Sequence, residues 1–196
     1  MTILAIVEGH AEIESVPVLL RRRLQQMGAF HVHVSRPFRV KRNRIVRQGE
    51  LERAIEQGVR DRENVGGILV ILDADDDCPA ELGPQLLNRA RQVTQLPIVV
   101  TLATQEMEAW FLGAKGSLRG ICGIVPEATA PNDPESIRGA KERLSQNMQA
   151  GRRYLDVDDQ AAFAQQMDFE SARRECRSFD KFLRGVDQLV AELPHG

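Results

Sequence analysis

At 196 residues the chain suits one α/β domain, with at most a small extension. Its 42% hydrophobic content allows a substantial core, and the net charge of −2 says little about partners, whereas the distribution says more: acids concentrate at 73–77 and bases at 36–47. No stretch approaches the ~18 apolar residues of a membrane span, the start Met1-Thr2-Ile3 lacks a signal-peptide pattern, and Cys78, Cys122 and Cys176 are too scattered for a disulfide framework or a structural zinc, so a cytoplasmic protein with no membrane partner is expected.

The first apolar run, Ile3-Leu4-Ala5-Ile6-Val7, reads as a buried strand ending in Glu8-Gly9-His10. Ser15 is expected to cap the helix that follows, with Pro17 in its first turn. Val16, Leu19, Leu20, Leu24 and Met27 recur at helical spacing, and Gly28 ends the helix. Phe30, Val32 and Val34 alternate with His31 and His33, the period of a half-exposed strand. The basic segment follows, with Arg36, Arg39, Lys41, Arg42, Arg44 and Arg47. It reads either as a nucleic-acid-binding segment, with Arg offering bidentate phosphate contacts, or as a solvated loop balancing an acidic site. Leu51, Ala54, Ile55 and Val59 predict a short amphipathic helix.

The stretch Gly66-Gly67-Ile68-Leu69-Val70-Ile71-Leu72-Asp73-Ala74-Asp75-Asp76-Asp77 comes next. Five apolar residues bounded by glycines read as a strand buried on both faces, and they run directly into four carboxylates. Leu82, Leu86, Leu87, Ala90 and Val93 predict a helix, and Pro97 to Leu102 a fourth strand. Beyond it lie Glu106 and Glu108, with Trp110 and Phe111 packing beneath. Strands alternating with helices predict a mostly parallel four-stranded sheet between helices. From 115 to 134 a loop region is expected. Asp133-Pro134 then opens a helix with Ile137, Ala140, Leu144 and Met148 inward. Asp156, Asp158 and Asp159 read as a helix-capping turn, and the chain looks helical from there to its end.

Ligands in open parallel sheets bind beyond the carboxyl ends of the strands, which is where Glu8, Asp73 with Asp75, and Glu106 or Glu108 fall. Asp73 and Asp75 are two apart, so in extended geometry they would share a side and suit one Mg²⁺ or Mn²⁺, or two such ions. Glu8 would then be a general acid/base or a further ligand. That division suits attack at phosphorus, with metal offsetting oxyanion charge, a carboxylate moving a proton and basic residues holding the backbone.

Val7-Glu8-Gly9 with Glu12 shortly after, followed by a later strand ending in Asp73-x-Asp75, resembles the Toprim domain shared by topoisomerases, bacterial primases and OLD-family nucleases. The chain is more closely similar to a group of small bacterial Toprim-like proteins, a likeness that extends to Glu106-x-Glu108-Ala109-Trp110-Phe111 and the Ser178-Phe179 region. The resemblance implies a Toprim-like catalytic domain over 1–112 and a helical extension over 113–196 packed on it. It implies Glu8 as general acid/base or ligand, Asp73 and Asp75 as Mg²⁺ ligands, and Glu12, Asp77 and Glu108 as candidates to complete the set. It also implies phosphodiester chemistry on nucleic acid, as a nuclease or nuclease subunit in bacterial defence or DNA processing, with a possible separate ATPase subunit. Size excludes a complete topoisomerase or primase. Two other classes stay open: a non-catalytic module that binds nucleic acid or a partner, and a phosphoacceptor or phosphatase domain.

Overall fold

In the computed structural model, which describes residues 1–193, the first apolar run becomes β1 (Thr2–Val7) and the glycine-bounded run becomes β4 (Val65–Asp73). Between them the chain forms α1 (Glu12–Gln26), β2 (His33–Val34), β3 (Phe38–Arg39), α2 (Arg42–Ile45) and α3 (Glu50–Arg60). After β4 come α4 (Pro79–Arg91), β5 (Ile98–Ala103), α5 (Glu108–Gly113) and α6 (Lys115–Leu118). A 3₁₀ turn at Pro134–Ser136 precedes α7 (Ala140–Ser145), α8 (Asp156–Gln166), α9 (Phe169–Glu175) and α10 (Arg177–Ala191). The notion of a chain helical to its very end falls partly on 194–196, outside the described residues.

The sheet is parallel throughout, in the order β2-β1-β4-β5, with β3 also pairing β1. The chain is thus an α/β fold with a parallel sheet between helices and a helical C-terminal region. The central strands are continuously apolar because alternate residues feed two cores. Ile3, Ala5, Val7, Leu69 and Ile71 join α1, α5 and α8 to α10 on one face. Leu4, Ile6, Ile68, Val70 and Leu72 join α3 and α4 on the other. Helix α10 closes the first core with Phe179, Phe182, Leu183, Val186 and Leu189, all fully buried; each such side chain contributes about 1.5–3 kcal/mol.

Four details depart from the sequence expectation. Helix α1 begins at Glu12, not near Ser15, and Ser15 Oγ instead donates to Gln160 Oε1 at 2.6 Å inside the protein. The half-exposed strand shrinks to His33–Val34, since Phe30 and His31 lie in a turn closed by the Val32 amide donating to Ala29 O at 3.1 Å. The basic segment is not an open loop. Phe38 and Arg39 pair in parallel with Ile6 and Val7, a fifth strand that continues the same edge as β2. The helix expected from Asp133 is split: the first segment stops at Ser136 with Ile137 extended, and α7 starts after Gly139, whose φ of 71° makes a left-handed turn.

Candidate functional site

Strands β1 and β4 run side by side, so their carboxyl ends bring Glu8 and Asp73 together. The Asp73 amide donates to Glu8 Oε1 at 3.0 Å. Glu12, the first residue of α1, turns back, and its Oε2 accepts the amides of Glu8 and Gly9, each at 2.9 Å. Gly9 leaves room for this return, because a Cβ there would stand 2.8 Å from Glu12 Oε1 and push that carboxylate aside. Asp73 Oδ1 accepts the Met107 amide at 2.8 Å. Oxygens of Glu8, Glu12 and Asp73 all lie within 4.8 Å of one another. Glu8 Oε2 is buried with no hydrogen-bond partner among the described residues.

Glu108 faces the same cavity from the start of α5, and it is only 1% exposed. Tyr154 Oη donates to Glu108 Oε1 at 3.2 Å and Gln160 Nε2 at 3.3 Å. Lys141 Nζ lies 3.8 Å from Glu108 Oε1 and donates to Asp156 Oδ2 at 3.2 Å. The cavity holds about 270 Å³. Glu106 points elsewhere, its carboxylate accepting the Lys141 amide at 3.4 Å. Lys141, Tyr154 and Gln160 were not legible as site residues, since α7, α8 and the turn before α8 reach the sheet edge only through the tertiary fold. A weak signal existed in Tyr154, the only tyrosine of the chain.

Crowding sets the electrostatics. Burial, then the charge of Glu12, raises the Glu8 carboxyl to about 7. Burial also raises Glu12. Asp73 is pushed well above the aspartate range by burial and then by Glu108, Glu12 and Glu8. Burial raises Glu108, partly offset by Lys141. Burial alone would lower Lys141, but Glu108, Asp156 and Asp73 outweigh it, so the ammonium holds its proton more firmly than usual. Glu8, Glu12, Asp73 and Glu108, sharing one small cavity, therefore resist ionising together.

The acidic turn after β4 divides. The strand ends at Asp73, and Asp75 takes φ of 52° with its amide bonded to Gln105 O. The extended geometry that would have set Asp75 beside Asp73 is thus absent. Asp75 is 61% exposed and Asp77 58%. Neither belongs to the group formed by Glu8, Glu12 and Asp73. Asp76 pairs with Arg138 at the surface. Arg42 leaves the basic segment to brace this turn, donating to Asp73 O at 3.0 Å and to Asp77, with Glu8 Oε2 at 3.8 Å. Arg44 pairs with Glu50 at 2.7 Å. The carbonyls of Arg36 and Arg47 accept from Arg62 and Arg89, and both side chains lie on exposed residues. Arg39 and Lys41 border a second cavity next to the acidic one.

The donor set converging at Glu8, Glu12 and Asp73 is all carboxylate oxygen, the chemistry that hard divalent cations such as Mg²⁺ and Mn²⁺ prefer. The raised carboxyls and the orphaned Glu8 Oε2 fit such an ion, which would let the acids ionise together.

The model of a family described as "Domain of unknown function (DUF4276)" matches residues 7–187. No curated protein matches the chain. Among solved structures, the C-terminal region of the Xanthomonas campestris pv. campestris OLD protein is similar at a TM-score of 0.44 and 15% sequence identity, over 96% of this chain and 95% of that chain.

Proposed function

The chain belongs to the DUF4276 family, and we propose that in this member the acidic pocket is a divalent-metal centre for hydrolysis of phosphodiester bonds in nucleic acid, on a Toprim-like scaffold. One observation carries the reading: Glu8, Glu12 and Asp73, from three separate elements, bring carboxylate oxygens within 4.8 Å of one another. Asp73 and Glu12 would hold the cation, with Glu108 on the facing wall. When bound, Mg²⁺ or Mn²⁺ offsets charge on the phosphoryl oxygens and acidifies water.

The protein's own groups supply the rest. Glu8 Oε2, buried without a hydrogen-bond partner among the described residues, is the oxygen left either to move a proton or to complete the ligand set. The Asp73 amide fixes the other oxygen of that carboxyl, so Glu8 stays oriented. Lys141 keeps a positive charge beside Glu108 and limits the net negative charge that an incoming phosphate meets. Work as a nuclease subunit beside a separate ATPase, in bacterial defence or DNA processing, is the context the Toprim resemblance implies.

The test is cleavage of plasmid and single-stranded DNA with Mn²⁺ or Mg²⁺, beside calorimetric Mn²⁺ titration. Asp73→Asn should lose Mn²⁺ binding and at least about a hundredfold of the cleavage rate, as expected when several kcal/mol of metal-borne stabilisation are removed. An Asp73→Asn protein that binds Mn²⁺ and cleaves as the parent does would sink the reading. Absence of any Mn²⁺ binding in the parent would favour a non-catalytic module.

A further inference from the structure

A second cavity, of about 330 Å³, opens between β3 and α3 and is lined by Phe38, Arg39, Lys41, Arg44, Arg53 and Gln57. Its charge is lopsided, because these four cations face a single lining carboxylate, Glu50. Glu50 holds two of them at the rim, with Arg44 at 2.7 Å and Arg53 at 2.8 Å. Arg39 Nε is buried without a hydrogen-bond partner among the described residues. An oxyanion seated among Arg39, Lys41 and Arg53 would answer the positive charge that Glu50 alone leaves unbalanced. Apart from Gln57, the remaining lining is apolar, from Phe38, Val40 and Ala54, as a sugar or base would need.

Position ties this cavity to the acidic one. Arg39 is in register with Val7, the residue before Glu8. Lys41 is exposed and lines both cavities. We propose that the basic cavity is a phosphodiester-binding subsite that seats a phosphate of a nucleic-acid strand, with the neighbouring sugar or base against Phe38 and Val40, while the strand passes Lys41 to the acidic pocket. The passage to that pocket rests on the metal-centre reading; the phosphate seat itself does not.

Two exposed positions of like chemistry make the test. Gln57 lines the cavity, whereas Gln25 sits on α1, across the sheet. Binding of a short fluorescein-labelled single-stranded DNA oligonucleotide is followed by anisotropy in EDTA, over a salt series. Gln57→Glu should weaken it at least about tenfold, while Gln25→Glu, with the same change in net charge, should stay within about twofold. Lys41→Gln with Arg53→Gln should lower the slope of log affinity against log salt by about 0.7 for each cation removed, the single-strand value. Thermal melts confirm that these surface variants fold.

Equal losses in Gln57→Glu and Gln25→Glu, or no oligonucleotide binding in the parent, overturn the proposal. So does calorimetric binding of inorganic phosphate without binding of the oligonucleotide, which reassigns the cavity to a free anion. Mn²⁺ titration separates this site from the metal centre. Oligonucleotide results as expected with no Mn²⁺ binding remove the metal centre and keep the subsite. Mn²⁺-dependent cleavage indifferent to Gln57→Glu removes the subsite and keeps the metal centre.

Discussion

The two walls of the acidic pocket are built by different means. On the sheet wall the main chain holds the carboxylates: the Asp73 amide holds Glu8, the Glu8 and Gly9 amides hold Glu12, and the Met107 amide holds Asp73. On the helical wall, side chains from α7, α8 and the turn between them hold Glu108, through Lys141, Gln160 and Tyr154. Main-chain donors are fixed by topology and cannot rotate away, whereas a side-chain cage depends on how remote helices pack. The sheet wall is therefore expected to be the more sensitive to substitution. It is also the wall where three carboxylates crowd, so it should carry the strongest dependence on pH and metal.

The largest effect should come from protonation of that wall. Glu8 is raised from its ordinary 4.5 to about 7 by burial and by Glu12, so the folded state binds this proton more tightly than the unfolded chain does. The resulting stability is in full below the unfolded value, declines between the two values and is lost above the folded one. Glu12, Asp73 and Glu108 shift in the same direction. The metal-free protein should thus be more stable at about pH 5 than at about pH 8, by roughly 2 kcal/mol from Glu8 alone. Added Mn²⁺ at the higher pH should recover that loss, because it binds the ionised folded site. Thermal melts with EDTA and with Mn²⁺ read both effects. Metal-free stability that climbs from the lower to the higher pH would show that the sheet wall does not carry this strain.

Gly9→Ala should come next. The new Cβ would stand 2.8 Å from Glu12 Oε1, so Glu12 must leave the amides of Glu8 and Gly9 or the turn must shift. Overpacking of this kind costs about 1–3 kcal/mol. Mn²⁺ affinity should fall with stability, since the displaced carboxylate belongs to the three-residue group. Melting and calorimetry together check this, and a variant neutral in both would mean that the main-chain cradle is not what positions Glu12.

The helical wall should respond less. Tyr154→Phe removes one donor at 3.2 Å from Glu108 Oε1 and leaves Gln160 and Lys141 in place. Urea denaturation should report a loss of about 1 kcal/mol, with Mn²⁺ affinity changed by a few fold at most. A drop in Mn²⁺ affinity as large as that of Gly9→Ala would erase the difference between the walls.

The same difference decides what the sequence made visible. The sheet wall was legible because Ile3–Val7 and Ile68–Leu72 are contiguous apolar runs and the acids follow them directly, so strand topology alone delivers Glu8 and Asp73 to one edge. Glu108 was legible as a candidate by its closeness to a strand end, and Glu12 only through the Toprim resemblance. Strand β3 was not, since two residues inside a basic stretch have no period to read; their pairing with Ile6 and Val7 is a tertiary choice. Lys141, Tyr154 and Gln160 lie over thirty residues beyond Glu108 in sequence, and nothing local marks them as facing it. The distinction between Asp73 and Asp75 was hidden for another reason. It rests on one backbone angle, the positive φ of Asp75, a conformation that aspartate tolerates without announcing.

That distinction leads to the smallest expected effect, at Asp76, two residues past Ala74 and outside both walls. Asp76 and Arg138 are 80% and 77% exposed, although their side chains meet at 2.7 Å. An ion pair in open solvent is screened and pays side-chain entropy, so Asp76→Asn should change stability by less than about 0.5 kcal/mol. Mn²⁺ binding should be unchanged within error, because no oxygen of Asp76 joins the group of Glu8, Glu12 and Asp73. The contrast with Asp73→Asn, three residues away and equal in charge removed, is the sharpest control on the metal centre. If Asp76→Asn weakened Mn²⁺ as Asp73→Asn does, the cation would be held by the diffuse charge of the whole turn, and the convergence of three ordered carboxylates would not be its cause.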